Sequence, residues 1–444
     1  MSMVAISAIL FAVSFVVLMV LVMKGMNLVP AALIAGLILA FGVDGGWFNG
    51  VYTIFAEGAG SYTTNLFIPF MVGGVFSAVM ITTGSDVVIG NFLIQKFGVH
   101  FAIYSMGVFV AICGFAGIQS WPFLAVIMAF SLMKAADLPL NVAMVVMVGV
   151  NSAFSFMFPG SPTVGNLIAS QALGTTIYAG SALGVVMCIV QIVIVYIYVE
   201  LALVRKYRRE GIGYTPSHTE SSLRAEATEL PDEQKPSFMI AIIPLIVVVA
   251  GCMIFQLGLG LGSTPSTVIA QFIAIATCVV LNEKRIGVIK KLPGTITNGC
   301  VQCAVPLLSV CAIVGYASLI SNTAFYSVIM DKISSLNMNP YVMVVVGTAL
   351  FAALSADSMG GLSMSVSTIG VKAVEAGANA GLVHRLSMAA ATTFDSMPHS
   401  SMLNVTMGFI GLTHKDVYKQ IVVVQIGATS AATLVGMFIC LAIG

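Results

Sequence analysis

Residues 392–404 read TTFDSMPHSSMLN and place Asp395 and His399 four positions apart, with Pro398 between them and five hydroxyl side chains around them. A second carboxylate, Asp357, stands in SADSMGGLSMS (355–365). A carboxyl group and an imidazole exchange protons, while hydroxyls and amides bind the oxygens of small organic acids. All three ionisable groups lie between strongly apolar runs, where such groups are costly and mark a functional position by default. Burial raises a carboxyl pKa and lowers that of an imidazole, which brings both toward neutral pH, where proton coupling is possible.

The elements that must hold these groups are membrane helices. The chain has 444 residues, 59% hydrophobic and 8% charged, with a mean hydropathy of +1.05; soluble domains carry about 25% charged residues. Ten full crossings are expected, at 3–23, 28–43, 64–82, 141–170, 179–204, 238–256, 264–282, 299–318, 383–411 and 420–443. Two further regions, 101–133 and 340–372, each hold two apolar arms of about 15 residues around a polar break. Such arms reach only about 22 Å, short of a hydrocarbon core of about 30 Å. They are expected to be re-entrant hairpins, tolerated at depth where protein or a wet cavity surrounds them. This topology puts 15 of the 18 lysines and arginines on one face and leaves Lys332, Lys372 and Arg385 opposite. The crowded face is expected to be cytoplasmic, with both termini outward.

The hydrophilic stretch 205–237 is expected to link two halves, 1–204 and 238–444. A shift of about 239 residues lays span on span, hairpin on hairpin, and Pro159 on Pro398. Each half then has five full spans, an odd number, so the halves are expected to be inverted repeats, a hallmark of secondary transporters. Four matching breaks follow: GFAGIQSWPF (114–123), FPGSPTVGN (158–166), 355–365 and 392–404. Proline removes a backbone donor and glycine weakens helices, so helices should open at these places. Each opening leaves backbone N–H groups at a helix start worth about half a positive charge, able to hold a carboxylate. Lys372 and Arg385 are expected near the outer surface, so no cation is expected in the core. The candidate binding residues are Gln119, Ser120, Gly160, Ser161, Thr163, Asn166, Ser358, Gly360, Ser363, Ser400, Ser401 and Asn404. Asp357, Asp395 and His399 are the candidates for proton coupling.

Other chemistries fit less well. Cys300 and Cys303 have CxxC spacing, but no second pair or nearby histidine completes a metal set, so no metal and no organic cofactor are expected. A net charge of +1 without a basic patch leaves nucleic acid out. A membrane-embedded enzyme using His399 with Asp395 would need a nucleophile or metal set that the five scattered histidines do not supply. A channel would line one helix face with polar groups, whereas here they cluster at four breaks. ISNTAF (320–325) is similar to the Ser-Asn-Thr motif of sodium-coupled dicarboxylate carriers, but falls at a span end.

At the breaks the chain resembles the gluconate permease (GntP) family of the ion transporter superfamily. FPGSPTVGNLIASQALGTTIYAGSALGV (158–185) is similar to that family's proline- and glycine-rich segment and the Leu-Gly step after it. FDSMPHSSMLNVTMGFIGLTHKDVYK (394–419) resembles the corresponding stretch of its 3-hydroxybutyrate permeases. TTGSDVVIGNFLIQKFG (82–98) follows the family's Ser-Gly to Phe-Gly pattern loosely. The resemblance implies an all-α polytopic protein of the inner membrane, a homodimer, and elevator-like movement of hairpins and broken helices. GIQSWPF (117–123) stands where gluconate carriers have an aspartate-containing Phe-Phe-Asp-Val-Gly run. A less hydroxylated acid suits the Trp121, Pro122 and Phe123 found here.

The expected substrate is therefore a small organic anion, a hydroxy-monocarboxylate such as 3-hydroxybutyrate or a gluconate-like acid, taken up with a proton from the lipid-embedded site. The alternative is a sodium-coupled di- or tricarboxylate symporter of the same fold.

Overall fold

In lipid every backbone polar group must be satisfied within the chain, which leaves an apolar run little choice but the helix. Helices make up 84% of the computed structural model, with no strand among the described residues. It describes residues 2–24, 26–115, 121–161, 163–225, 230–335 and 338–443. The longer helices of the first half are α1 (Met3–Met23), α2 (Leu28–Leu39), α3 (Ala56–Thr82), α4 (Ser85–Phe115), α5 (Trp121–Ala136), α6 (Leu140–Ser152), α7 (Val164–Leu173) and α8 (Ser181–Ile197). The second half has α9 (Phe238–Met253), α10 (Ser263–Ile286), α11 (Val288–Ser321), α12 (Ala324–Ser335), α13 (Pro340–Ser355), α14 (Ser358–Ser365), α15 (Ala380–Ala391), α16 (Ser401–Ile410), α17 (His414–Ile421) and α18 (Ala428–Ile443).

This is a polytopic membrane protein, with fewer continuous crossings than the ten expected. Among the described residues, seven helical stretches are long and apolar enough to span, or eight if Phe67–Thr82 and Ser85–Lys96, bent by 68°, form one. The expected span 28–43 is the helix Leu28–Gly42, which at 1.5 Å per residue reaches only about 22 Å. The expected span 383–411 is two helices, α15 and α16, parted by the break that holds Asp395 and Pro398. The stretch Leu140–Met157 has 83% of its most apolar window buried against 17% for Met3–Val22. The first is therefore a central element and the second a peripheral one.

Helix boundaries recur at a near-constant interval. Helix α3 ends at Thr82 and α11 at Ser321, 239 residues apart. Helix α6 opens at Leu140 and α15 at Ala380, 240 apart. Helix α7 opens at Val164 and α16 at Ser401, 237 apart. The corresponding α3 and α11 pack along each other. They cross where a methyl group on Gly74 would lie 2.5 Å from the Gly299 carbonyl oxygen, so only glycine lets the backbones meet.

The chain reverses between α4 and α5, and again between α13 and α14, where the arms pack side by side. Gln119 and Ser120 lie outside the described residues. The second reversal turns on Ala356, in the left-handed region at φ 46°, followed by Asp357. Packing then crosses between halves: α5 lies on α16, and α14 lies on α7. Each hairpin is thus braced by the broken helix of the opposite half. The hydrophilic stretch after α8 also folds onto the protein. Its helix His218–Ala225 packs against α3, α11 and α16, and the Thr219 hydroxyl donates to the Gly408 carbonyl at 3.3 Å.

Candidate functional site

The first broken helix opens because the chain between Phe158 and Thr163 leaves the helical path at Pro159 and at Gly160, whose φ of +91° favours glycine. Helix α7 restarts under its own cap, the Thr163 hydroxyl accepting from the Asn166 N–H at 3.4 Å. The Ser161 hydroxyl donates to the Gly114 carbonyl at 2.7 Å, pinning the break to the hairpin arm α4. The Asn166 amide donates to the Ser161 carbonyl at 2.9 Å.

The second broken helix repeats this solution. Helix α16 is capped by the Ser400 hydroxyl, which accepts from the Leu403 N–H at 3.4 Å. The Asn404 amide donates to the carbonyls of Pro398 at 2.8 Å and Ser400 at 2.7 Å. His414 Nε2 sits 2.9 Å from the same Pro398 carbonyl. Two asparagines at matching places thus satisfy the carbonyls that each break frees.

Between the breaks lies a cavity of about 90 Å³. Its polar wall comes from Asn151 and Ser152 at the end of α6, Ser155 in the turn that follows, Thr163, Asp357 and Ser358 of the second hairpin, Asp395 and Ser396 of the second break, Ser401, and Gln425. Trp121, Phe156, Met359, Met402 and Leu403 supply apolar surface. The lining contains two carboxylates and no lysine or arginine. One Asp357 oxygen is committed as the cap of α14, accepting from the Gly360 N–H at 2.8 Å. Asp395 faces neutral donors: the Ser396 hydroxyl at 3.0 Å, the Gln425 amide at 3.5 Å and the hydroxyl of Ser358.

No family model matches the chain. Its sequence is 22% identical over 415 residues to a protein of Bacillus subtilis (strain 168), covering 85% of this chain and 87% of that one. That relative is named uncharacterized transporter YxjC.

The cavity brings Thr163, Ser358, Ser401, Asp357 and Asp395 together. Gly360 lies beside it, in a second cavity that shares Asp357 and Ser401. Gly160, Ser161, Asn166, Ser400 and Asn404 shape the breaks from behind, and Ser363 is exposed. His399 is buried outside the lining, its ring edge-on to Phe15 with centroids 5.1 Å apart.

Arg385 corrects an expectation. No cation is expected in the core, yet this one is fully buried within the protein. Its guanidinium donates to the carbonyls of Ile177 (2.8 Å), Ala179 (2.8 and 3.0 Å), Phe156 (3.3 Å) and Phe158 (3.5 Å), and to Asn166 Oδ1 (3.3 Å). The cation is spent on main-chain carbonyls freed where α6 and α7 are interrupted, which sequence periodicity cannot show. Beside it His384 spans Thr175 Oγ1 (2.7 Å) and Asn166 Oδ1 (3.1 Å).

The site residues missed in the sequence are Asn151, Ser152, Ser155, Ser396 and Gln425. Ser396 lies inside a break already singled out. Gln425 carried a usable signal, since it is one amide within the apolar run IVVVQIG (421–427), and a polar side chain at that depth needs a reason.

Proposed function

We propose that the chain is a secondary transporter of the bacterial inner membrane that takes up a small hydroxy-monocarboxylate, 3-hydroxybutyrate or a gluconate-like acid, together with a proton. The observation that carries this reading is the charge of the cavity: two carboxylates and no cation in its lining. An organic anion entering beside two ionised carboxylates meets like-charge repulsion with little solvent to screen it. Protonation of one carboxyl group removes that repulsion, so anion and proton are bound together. The hydroxyls of Ser152, Thr163, Ser358 and Ser401 and the amides of Asn151 and Gln425 would then hold the substrate's oxygens. Trp121 and Phe156 would cover its short carbon chain. The matched helix intervals and the cross-packed hairpins support an inverted-repeat carrier. In an elevator-like cycle, the α3–α11 pair would belong to the static part and the hairpins and broken helices to the moving part of each protomer of a homodimer.

The same charge favours a second reading, since sodium would also neutralise the carboxylates and let a di- or tricarboxylate bind. Uptake of labelled 3-hydroxybutyrate into proteoliposomes, with an imposed proton gradient and no sodium, separates the two. Gradient-driven uptake, competed by short hydroxy acids, supports proton symport. Uptake only with sodium, competed by succinate or citrate, overturns it.

A further inference from the structure

A second cavity, of about 230 Å³, lies against the first. One wall is the end of α11, with Ala317, Ser318, Ser321 and Asn322; the other is Ser355 and Gly360 of the second hairpin. Asp357 and Ser401 line both cavities, so these two side chains are the partition between them. Ser321 and Asn322 are exposed, which means that the second cavity reaches the protein surface at the end of α11. The other end of α11 carries Lys290 and Lys291. About 30 helical residues separate them from Ser321, or about 45 Å, the full thickness of a bilayer with its headgroups. The basic end belongs to the lysine- and arginine-rich face, which the charge bias makes cytoplasmic. The second cavity therefore opens on the opposite side.

We propose that this second cavity is the outward entry passage for the organic anion, with the Ser318, Ser321 and Asn322 side chains as a polar transit wall and Asp357 and Ser401 as the partition that must part to admit it. The ligand class rests on the carrier reading above; the location of the passage rests on the cavity geometry and the side it opens to on the charge bias. Three features suit transit better than tight binding. The wall offers neutral hydroxyl and amide groups, which replace hydration without trapping a charge. It contains no lysine or arginine. Apolar contact from Ile313 and Met364 narrows it without closing it.

The test uses the full-length protein in intact cells, with Cys300→Ser as background because Cys300 is the one half-buried thiol among the free cysteines. Ala317→Cys and Ser321→Cys are introduced singly, with Leu319→Cys, which faces helix packing, as control. A membrane-impermeant thiol reagent added outside is expected to label the first two, spare the third, and abolish uptake in the Ala317→Cys protein. Labelling confined to permeabilised cells, or absent from both positions, overturns the passage. Added 3-hydroxybutyrate is expected to slow labelling at Ala317→Cys. Rapid outside labelling that 3-hydroxybutyrate leaves unchanged keeps the passage and overturns the substrate reading instead.

Discussion

The guanidinium of Arg385, on α15, donates to Asn166 Oδ1, on α7, at 3.3 Å. With the His384 Nε2 contact to the same oxygen at 3.1 Å, it joins the broken helix of the first half to α15 of the second. The same side chain collects carbonyls on both sides of the break, at Phe156 and Phe158 and at Ile177 and Ala179. It works as a clamp on backbone that has lost its helical partners, and so fixes where Ser155, Phe156 and Thr163 stand around the cavity.

Replacing Arg385 should accordingly act on folding before it acts on binding. Arg385→Gln leaves several buried carbonyls unpaired, at about 1–3 kcal/mol each. Arg385→Lys keeps the charge, but a compact ammonium cannot reach carbonyls spread on two sides as a planar fork does. The expected order of thermal stability in detergent is wild type, then Lys, then Gln. A Gln variant that melts with the wild type would show that the carbonyls find other partners.

The two cavity carboxylates should separate by role. Asp357 has an oxygen engaged with the Gly360 N–H, whereas the partners of Asp395 are side chains that face the cavity. Asn can cap a helix as well as Asp, so Asp357→Asn should fold normally and keep gradient-driven uptake, while Asp357→Ala should lose about 1 kcal/mol of stability. Asp395→Asn should abolish gradient-driven uptake yet still exchange labelled for unlabelled substrate across the membrane. If Asp357→Asn loses gradient drive and Asp395→Asn keeps it, the assignment reverses.

Much of this was legible in the sequence, and the remainder has physical causes. The apolar runs and the breaks at 158–166, 355–365 and 392–404 can be read, because bilayer thickness sets helix length and proline and glycine set where helices open. Thr163, Ser358, Ser401, Asp357 and Asp395 followed from the breaks. Which break residues turn inward did not, because Ser161, Asn166 and Asn404 are consumed by main-chain carbonyls at the breaks and Ser400 by the Leu403 N–H that it caps. The burial of Arg385 is hidden for the same reason: position along a span gives depth but not the acceptors that a buried cation finds. Gln425 comes from a helix that no break marks, so only its polarity could have pointed to it.

The crossing of α3 and α11 gives a prediction independent of substrate. Beyond the Gly299 carbonyl, the space at Gly74 is bounded by the Cys303 sulfur. Gly74→Val should force the helices apart, at about 1–3 kcal/mol for overpacking. A fall in melting temperature without change in the Asp395-dependent coupling is expected. A Val variant as stable as the wild type would mean that the crossing is loose.

Gln425 carries the last prediction, through the partners that orient it. Gln191 Nε2 donates to the Ser152 hydroxyl at 2.5 Å and to the Gly149 carbonyl at 2.9 Å. Ser152 thereby uses an acceptor site and keeps its single proton, which it donates at 3.1 Å to Gln425 Oε1 or at 3.2 Å to the Gly149 carbonyl. With Oε1 facing Ser152, the amide nitrogen of Gln425 lies between the Thr392 carbonyl at 3.4 Å and Asp395 Oδ1 at 3.5 Å, on the cavity wall. An amide N–H presented to an incoming carboxylate is worth about 1.5–3 kcal/mol as a hydrogen bond to a charged group, which is about 10- to 150-fold in affinity. Gln425→Leu should raise KM by an amount in that range and change the maximal rate less. Gln191→Leu, which touches no substrate, should raise KM by a smaller factor, because Ser152 then has a free acceptor and the Gln425 amide can turn over. Equal effects on KM from both variants, or an effect of Gln191→Leu on melting temperature alone, would show that the relay from Gln191 to Gln425 does not set the donor in the cavity.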